Sequence, residues 1–108
     1  MEKRRTKRIT VSMKAERISG NLKKAVMIEN ISESGINMIT APAKTAARFK
    51  PGIDVRLKFR LSNGEILNLN CKVRWSYTKV PTDGLTSNVG LEIIDPPKEY
   101  RKFVKTLN

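Results

Sequence analysis

The stretch LNLNCKVRWSY, residues 67–77, decides the fold of this chain. Apolar residues occupy every odd position from Leu67 to Tyr77, and polar residues occupy every even position. A period of two is typical of a β-strand with one face in a core and the other in water. Residues 55–61 alternate in the same way, and the Asn63-Gly64 step between the two segments favours a tight turn. The pattern therefore predicts a long antiparallel hairpin.

Four further segments have the composition of shorter strands. They are residues 10–15, 25–29, 35–40 and 88–94. No helix-period segment separates them, so the chain is predicted to be all-β, with six antiparallel strands closing into a split barrel. Gly90 lies inside the last strand, where a glycine often marks a bulge or the close approach of a ligand. A loop is expected over residues 78–87, and a helical turn over 43–49.

The end of the chain changes its period. Its apolar residues follow the i, i+3, i+4, i+7 spacing of a helix and predict a C-terminal α-helix at about residues 97–107. Those residues are Tyr100, Phe103, Val104 and Leu107. Asp95 is expected to be the N-cap, since aspartate is a favoured residue there. Because so short a helix is marginal in water, its apolar stripe must pack on the barrel.

Composition points to an anionic partner. The chain has 108 residues, the size of a single domain, with a formal net charge of +12 and a pI near 10.3. Such a balance predicts attraction to polyanions or phosphorylated ligands. No apolar run approaches the length of a membrane span, and the first residues lack the apolar stretch of a signal peptide. A cytoplasmic location is therefore expected.

The usual residues of catalysis are scarce. Histidine is absent, and the single cysteine, Cys71, has no second thiol with which to form a disulfide or a thiolate metal site. The carboxylates show neither the spacing of a catalytic pair nor that of a metal-binding loop. We therefore expect a binding protein rather than an enzyme, with no metal and no cofactor.

A dense cluster of cations precedes the first strand. Residues 3–8, KRRTKR, contain five cations in six positions and no apolar anchor. Residues 1–8 are therefore expected to form a flexible basic arm ahead of a folded domain at 9–108. An arginine can bind a phosphate through two parallel hydrogen bonds and can stack on a planar ring. A nucleotide, which is both anionic and planar, is the partner that this chemistry favours.

The second motif is the turn at residues 30–35, NISESG. The side chains of Asn30 and Ser32 can bond backbone amides, and Gly35 can adopt a positive φ. Taken alone, the segment is read most simply as a hairpin turn. It could also direct Asn30 and Ser32 towards a ligand.

Together, Arg4-x-x-x-Arg8 and Asn30-x-Ser32-x-x-Gly35 resemble the two motifs of the PilZ domain, a bacterial receptor module for the second messenger cyclic di-GMP. The resemblance covers most of residues 2–104 and suggests a stand-alone domain. It implies that Arg4 and Arg8 contact guanine and phosphate, and that Asn30 and Ser32 contact the other side of the ligand. Gly35 would keep the turn tight, and Arg5 could add a phosphate contact.

The charge of the arm suggests how such a receptor would work. Ligand phosphates would neutralise the arm and order it against the barrel, which changes the surface that a downstream protein partner reads. One or two ligand molecules are both compatible with the charge of the arm.

Two alternatives remain open at the level of sequence. The chain could be a PilZ-like interaction module without the ligand, or a non-specific nucleic-acid-binding domain. Nucleic acid would use the cationic outer side of the hairpin: Arg56, Lys58, Arg60, Lys72 and Arg74. It is less favoured because Phe59, Trp75 and Tyr77 share the inward phase, which leaves few aromatic rings for stacking with bases. Trp75 and Cys71 are expected in the core.

Overall fold

The computed structural model describes residues 8–40, 49–61, 63–79 and 86–107, which form six strands and one helix. The elements are β1 (Ile9–Ser19), β2 (Leu22–Ile31), β3 (Gly35–Thr40), β4 (Asp54–Arg60), β5 (Ile66–Lys79), β6 (Thr86–Ile93) and α1 (Lys98–Thr106). The arm before residue 8 and most of the helical turn expected at 43–49 lie outside the described residues.

The six strands close into a barrel with the order β1-β2-β3-β6-β5-β4. All neighbouring pairs are antiparallel, and each strand is paired on both sides. The hairpin predicted from the two alternating segments is confirmed as β4 and β5, with Leu57 opposite Leu69 and Phe59 opposite Leu67. Closure leaves no described strand with a free edge, which removes the usual site of edge-to-edge association.

Several predicted boundaries were wrong. The hairpin of β1 and β2 extends to a turn at Gly20, whose φ of 61° lies in the left-handed region. The extension was missed because residues 16–24 are mostly charged or polar on both faces. The loop expected at 78–87 is shorter, since β5 runs to Lys79 and β6 begins at Thr86.

The barrel interior is filled by the inward residues of all six strands. Ile28, Met38, Leu57, Leu69 and Val89 are each almost completely buried. Cys71 belongs to the same core, as predicted, and burial raises the pKa of its thiol to about 12. The thiol is therefore neutral at physiological pH and has the character of a small apolar side chain.

The helix closes the structure as predicted, although its start differs. Pro97 is the N-cap and offers no side-chain hydrogen bond, while Asp95 lies outside the helix with a φ of 49°. The N-cap prediction failed because two prolines separate Asp95 from the first helical turn. Tyr100 is completely buried and meets the ring of Phe59 edge-on at 6.4 Å. Its hydroxyl donates a hydrogen bond to the carbonyl of Ser32, which ties α1 to the turn between β2 and β3.

Candidate ligand-binding site

The turn between β2 and β3 is built around the hydroxyl of Ser32. This Oγ accepts hydrogen bonds from the backbone amides of Gly35 at 3.1 Å and Ser34 at 3.3 Å. The amide of Ser32 in turn donates to the carbonyl of Gly35 at 2.9 Å. Ser32 is only 5% exposed. Its side chain therefore fixes the turn and presents Ser34 on the surface.

Gly35 is required for a reason other than the predicted positive φ. The glycines of positive φ in the described ranges are Gly20, Gly52 and Gly64. At Gly35, a Cβ atom would lie 3.0 Å from the carbonyl oxygen of Leu91 on the neighbouring β6. The expectation of a left-handed backbone was thus wrong. The glycine permits β6 to approach the start of β3 closely.

Strand pairing brings Arg8, the described residue of the first motif, to the same end of the barrel as the second motif. Ile9 is paired with Ile31, so the exposed Arg8 lies directly before the strand that runs beside the Ser32 turn. Asn30 is half-buried, opposite Thr10 on one side and Asn37 on the other. The described motif residues therefore share one end of β1, β2 and β3. Arg4 and Arg5 lie outside the described residues.

Beside this turn is an open groove of about 390 Å³. Its lining comes from Arg8, from the turn, and from β3, β5 and β6: Arg8, Ser34, Asn37, Arg74, Trp75, Gly90, Leu91 and Glu92. Arg8 is the predicted site residue that lines it directly. Asn30, Ser32 and Gly35 are not part of the lining, but Ser32 bonds the amides of Ser34 and Gly35, and Asn30 is the strand partner of Asn37.

Trp75 was missed as a site residue, and its predicted place in the core was wrong. The pairing of β5 with β6 shifts register between Val73 and Trp75, and this bulge interrupts the alternation, so that Arg74, Trp75 and Ser76 are all exposed. Trp75 is consequently 38% exposed. Its indole lies on Gly90, where a Cβ atom would be only 2.3 Å from the indole Cε2. The interior glycine of β6 was the one sequence feature that pointed to this arrangement.

Among the described residues, two of the five cations on the outer side of the hairpin form ion pairs. Arg74 contacts Glu92 at 2.9 Å beside the groove, and Lys72 contacts Asp54 at 2.7 Å. Both pairs are solvent-exposed, so each adds little stability. Arg8 forms no ion pair within the described residues, so its guanidinium remains available to an anion.

The described residues contain no cluster of three or more side chains that could hold a metal ion. They also contain no helix that is long and apolar enough to cross a membrane.

A closed six-stranded barrel with a docked C-terminal helix and a side groove places this chain among small β-barrel binding domains. More narrowly, the chain belongs to the PilZ domain family, because the model of that family matches residues 2–107. Among curated proteins, none gives a significant match.

Solved structures share the fold at low sequence identity. The PilZ domain of Escherichia coli YcgR with cyclic di-GMP superposes with a TM-score of 0.72 at 11% identity, over 98% of this chain and 92% of that one. Bacillus subtilis MotI gives 0.71 at 18%, over 96% and 48%, and the MrkH–cyclic di-GMP complex of K. pneumonia gives 0.70 at 10%, over 98% and 51%. This chain thus spans about half of the length of MotI and MrkH.

The contact between Trp75 and Gly90 can be tested by the substitution Gly90→Ala. The added methyl group would overlap the indole, so the ring must leave the backbone of β6 and become more exposed. Trp75 is the only tryptophan of the chain, and we expect its fluorescence emission to shift to longer wavelength. Gly64→Ala, in the hairpin turn where no atom lies within 4 Å, is the control: its φ of 92° makes the alanine strained, so it should lower stability but leave the emission unchanged.

Proposed function

We propose that this chain is a receptor for cyclic di-GMP and that the groove beside the Ser32 turn is its binding site. The observation that carries the proposal is the meeting of Arg8, the turn at 32–35 and the exposed ring of Trp75 around one open groove. Membership of the PilZ family supports it, as do the cyclic di-GMP complexes of YcgR and MrkH.

The groove offers the chemistry that this ligand needs. Guanine presents the acceptors O6 and N7 on one edge, which an arginine can engage through two hydrogen bonds. Arg8, together with Arg4 and Arg5 of the arm, would contact guanine and phosphate. Trp75 provides a flat aromatic surface on which a guanine can stack. Ser34, whose amide is bonded to Ser32, and Asn37, the strand partner of Asn30, offer polar groups from the barrel side.

In this proposal the arm carries the response. Residues 1–8 would repel one another without the ligand, and they would become ordered when the ligand phosphates neutralise them. Ordering a residue costs about 1–2 kcal/mol, which several charge-assisted hydrogen bonds must offset. The ordered arm then forms a surface that a downstream protein partner recognises. Cyclic di-GMP is an intracellular messenger, so the receptor would act in the cytoplasm, without catalysis.

Calorimetric titration with cyclic di-GMP tests the binding proposal and measures its stoichiometry. We expect saturable binding of cyclic di-GMP, with one or two molecules per chain. Cyclic di-AMP is the matched control, because it has the same phosphates but lacks the guanine O6 acceptor, and it should bind at least tenfold more weakly. Absence of binding would contradict the proposal and leave the ligand-free interaction module as the better reading.

Hydrogen exchange of residues 3–8 tests the mechanism separately. Saturation with cyclic di-GMP should slow exchange there by tenfold or more, while exchange at the Gly64 turn should not change. Binding without protection of the arm would refute ordering of the arm and leave the receptor function standing.

A further inference from the structure

The barrel carries a second cationic surface, apart from the groove. Its members are Lys14 on β1, Lys23 on β2, and Arg56, Lys58 and Arg60 on β4, which we call the basic face. The pairing of Ile18 with both Lys23 and Arg56, and of Glu16 with Lys58, places these residues on the same outer side of neighbouring strands. Lys58 is half-buried and the other four cations are exposed.

Most of the charge of the basic face is uncompensated. Across β4 and β5, Arg56 and Lys58 lie opposite the neutral Asn70 and Asn68. Glu16 is the only acidic residue in the lining of this surface. Within the described ranges, none of the five cations forms an ion pair, in contrast to Lys72 and Arg74. Five unpaired like charges on adjacent strands repel one another, and an anionic partner would relieve this repulsion.

The surface of the basic face is hollow rather than flat. It carries two shallow cavities of about 490 and 430 Å³, which lie side by side and share Lys23 and Lys58 in their linings. Apolar residues lie within them between the long cationic side chains: Ile18, Ala25 and Ile66. Ile66 is 43% exposed and lies directly opposite Arg60. Carboxylates and short apolar side chains projecting from another protein would fit such a surface.

We propose that the basic face is a docking site for an acidic protein surface. The closed barrel has no free strand edge among its described strands, so a partner must bind through side chains rather than by adding a strand. Arginines, partly exposed apolar residues and asparagine amides match the mixed composition of protein interfaces. Nucleic acid fits less well, because the face has no exposed aromatic ring for bases. A bilayer fits less well, because Ile66 is the one large apolar side chain that is exposed among the described residues lining the face.

This site is separate from the groove. Both surfaces draw on β5 and on β1 or the residue directly before it, but from different ends of these strands, and no described residue lines both the groove and the basic face. The proposal therefore does not depend on cyclic di-GMP. A chain that fails to bind the nucleotide can still dock an acidic protein here.

The test measures binding of a fluorescein-labelled peptide of glutamate, alanine and leucine by anisotropy at near-physiological ionic strength. The variant Arg56→Glu/Arg60→Glu reverses two exposed charges of the face. Arg101→Glu/Lys102→Glu makes the same charge change on the exposed side of α1 and is the matched control. We expect at least tenfold weaker binding in the first variant and less than threefold in the second. No binding to the unaltered protein, or equal losses in the two variants, would overturn the proposal.

Further measurements distinguish the classes of partner and provide a second variant in case the first one unfolds. Ile66→Ser should weaken binding of the peptide about threefold. It should not change binding of a labelled oligothymidylate of equal charge, since only a protein uses the apolar contact. Tighter binding of that oligonucleotide, or of phosphatidylglycerol vesicles, through Arg56 and Arg60 would overturn the assignment to a protein. If the glutamate variant melts early, Arg56→Gln/Arg60→Gln should still weaken the peptide at least threefold. Equal affinity in that variant would also refute the site.

Discussion

The substitution Arg8→Ala is expected to lower the affinity for cyclic di-GMP at least a hundredfold. A charge-assisted hydrogen bond contributes about 1.5–3 kcal/mol, and a guanidinium can make two of them to one phosphate or guanine edge. Since about 1.4 kcal/mol corresponds to a tenfold change, loss of both bonds accounts for the effect. Titration calorimetry of the two proteins measures it. The fold should be unaffected, because Arg8 is exposed and makes no ion pair within the described residues.

Three comparisons isolate the role of the arginine. Arg101→Ala removes the same charge from the exposed side of α1 and should reduce affinity less than threefold. Arg8→Lys keeps the charge without the paired donors and should show an intermediate loss. Lys7→Ala should weaken binding modestly, as a counter-charge would. Equal losses in Arg8→Ala and Arg101→Ala would mean that only net charge matters, and full affinity in Arg8→Ala would remove this residue from the site.

The substitution Tyr100→Ala is expected to lower the free energy of unfolding by about 3–5 kcal/mol. Tyr100 is completely buried between α1 and the barrel, where its ring meets Phe59. Removal leaves a large cavity and also deprives the carbonyl of Ser32 of its hydrogen bond. The loss is a large part of the roughly 5–15 kcal/mol that stabilises a domain of this size. Denaturant titration followed by circular dichroism measures it.

Tyr100→Phe separates the hydrogen bond from the packing. It keeps the ring and should cost about 1–2 kcal/mol, because the Ser32 carbonyl then stays buried without a donor. Thr106→Ala removes an exposed hydroxyl-to-carbonyl bond in the same helix and should cost less than about 0.5 kcal/mol. Since the turn of Ser32 adjoins the groove, Tyr100→Phe should also lower the affinity for cyclic di-GMP. Equal stability of Tyr100→Phe and the unaltered protein would show that the bond contributes nothing.

The pH dependence of stability offers a second readout for Tyr100. Burial, first, and the neighbouring Cys71 raise the pKa of its phenol above the ordinary value. A raised folded pKa means that the contribution of Tyr100 is complete below its unfolded pKa of about 10 and is lost as the pH rises further. Tyr100→Phe should therefore show a shallower loss of stability above pH 10. Cys71 remains in both proteins and cancels in the comparison.

Periodicity was enough to predict the architecture of this chain. The alternation at 67–77 gave β5 and, with residues 55–61, the central hairpin, because a strand that is half in water must alternate. The spacing from Tyr100 to Leu107 predicted α1, because a helix with one buried face needs apolar residues every three or four positions. The ends of β1 and β2 escaped prediction because charged residues occupy both faces there. Arg17, for example, is half-buried over the ring of Phe49, 5.1 Å from its centroid.

The candidate site was only partly visible in the sequence. Arg8 and the Ser32 turn belong to local motifs, so their residues and spacing can be recognised in the sequence without knowledge of the fold. Trp75 and Asn37 reach the groove through pairing between strands that are distant in the chain. The bulge that turns Trp75 outward leaves no trace in the alternation itself. Its partner Gly90 was recognised as unusual, but a glycine does not reveal which side chain rests on it.

The register of β1 has a consequence for how the two surfaces communicate. This strand starts beside the groove and ends in the basic face, and both of its neighbours are paired to it. A slide by one residue would turn Glu16 into the core and Ala15 into water, so the strand cannot move like a piston. Electrostatic interaction does not connect the groove to the basic face either, because the Debye length of about 8 Å is well below the 27 Å shortest dimension of the molecule.

It follows that the barrel insulates the two surfaces from each other. A partner on the basic face would be held whether or not the messenger is present, and only the arm would report its arrival. The basic face would then bind its partner at all times, and the arm would make a second contact only when the messenger is bound. Mutations could change either contact without changing the other.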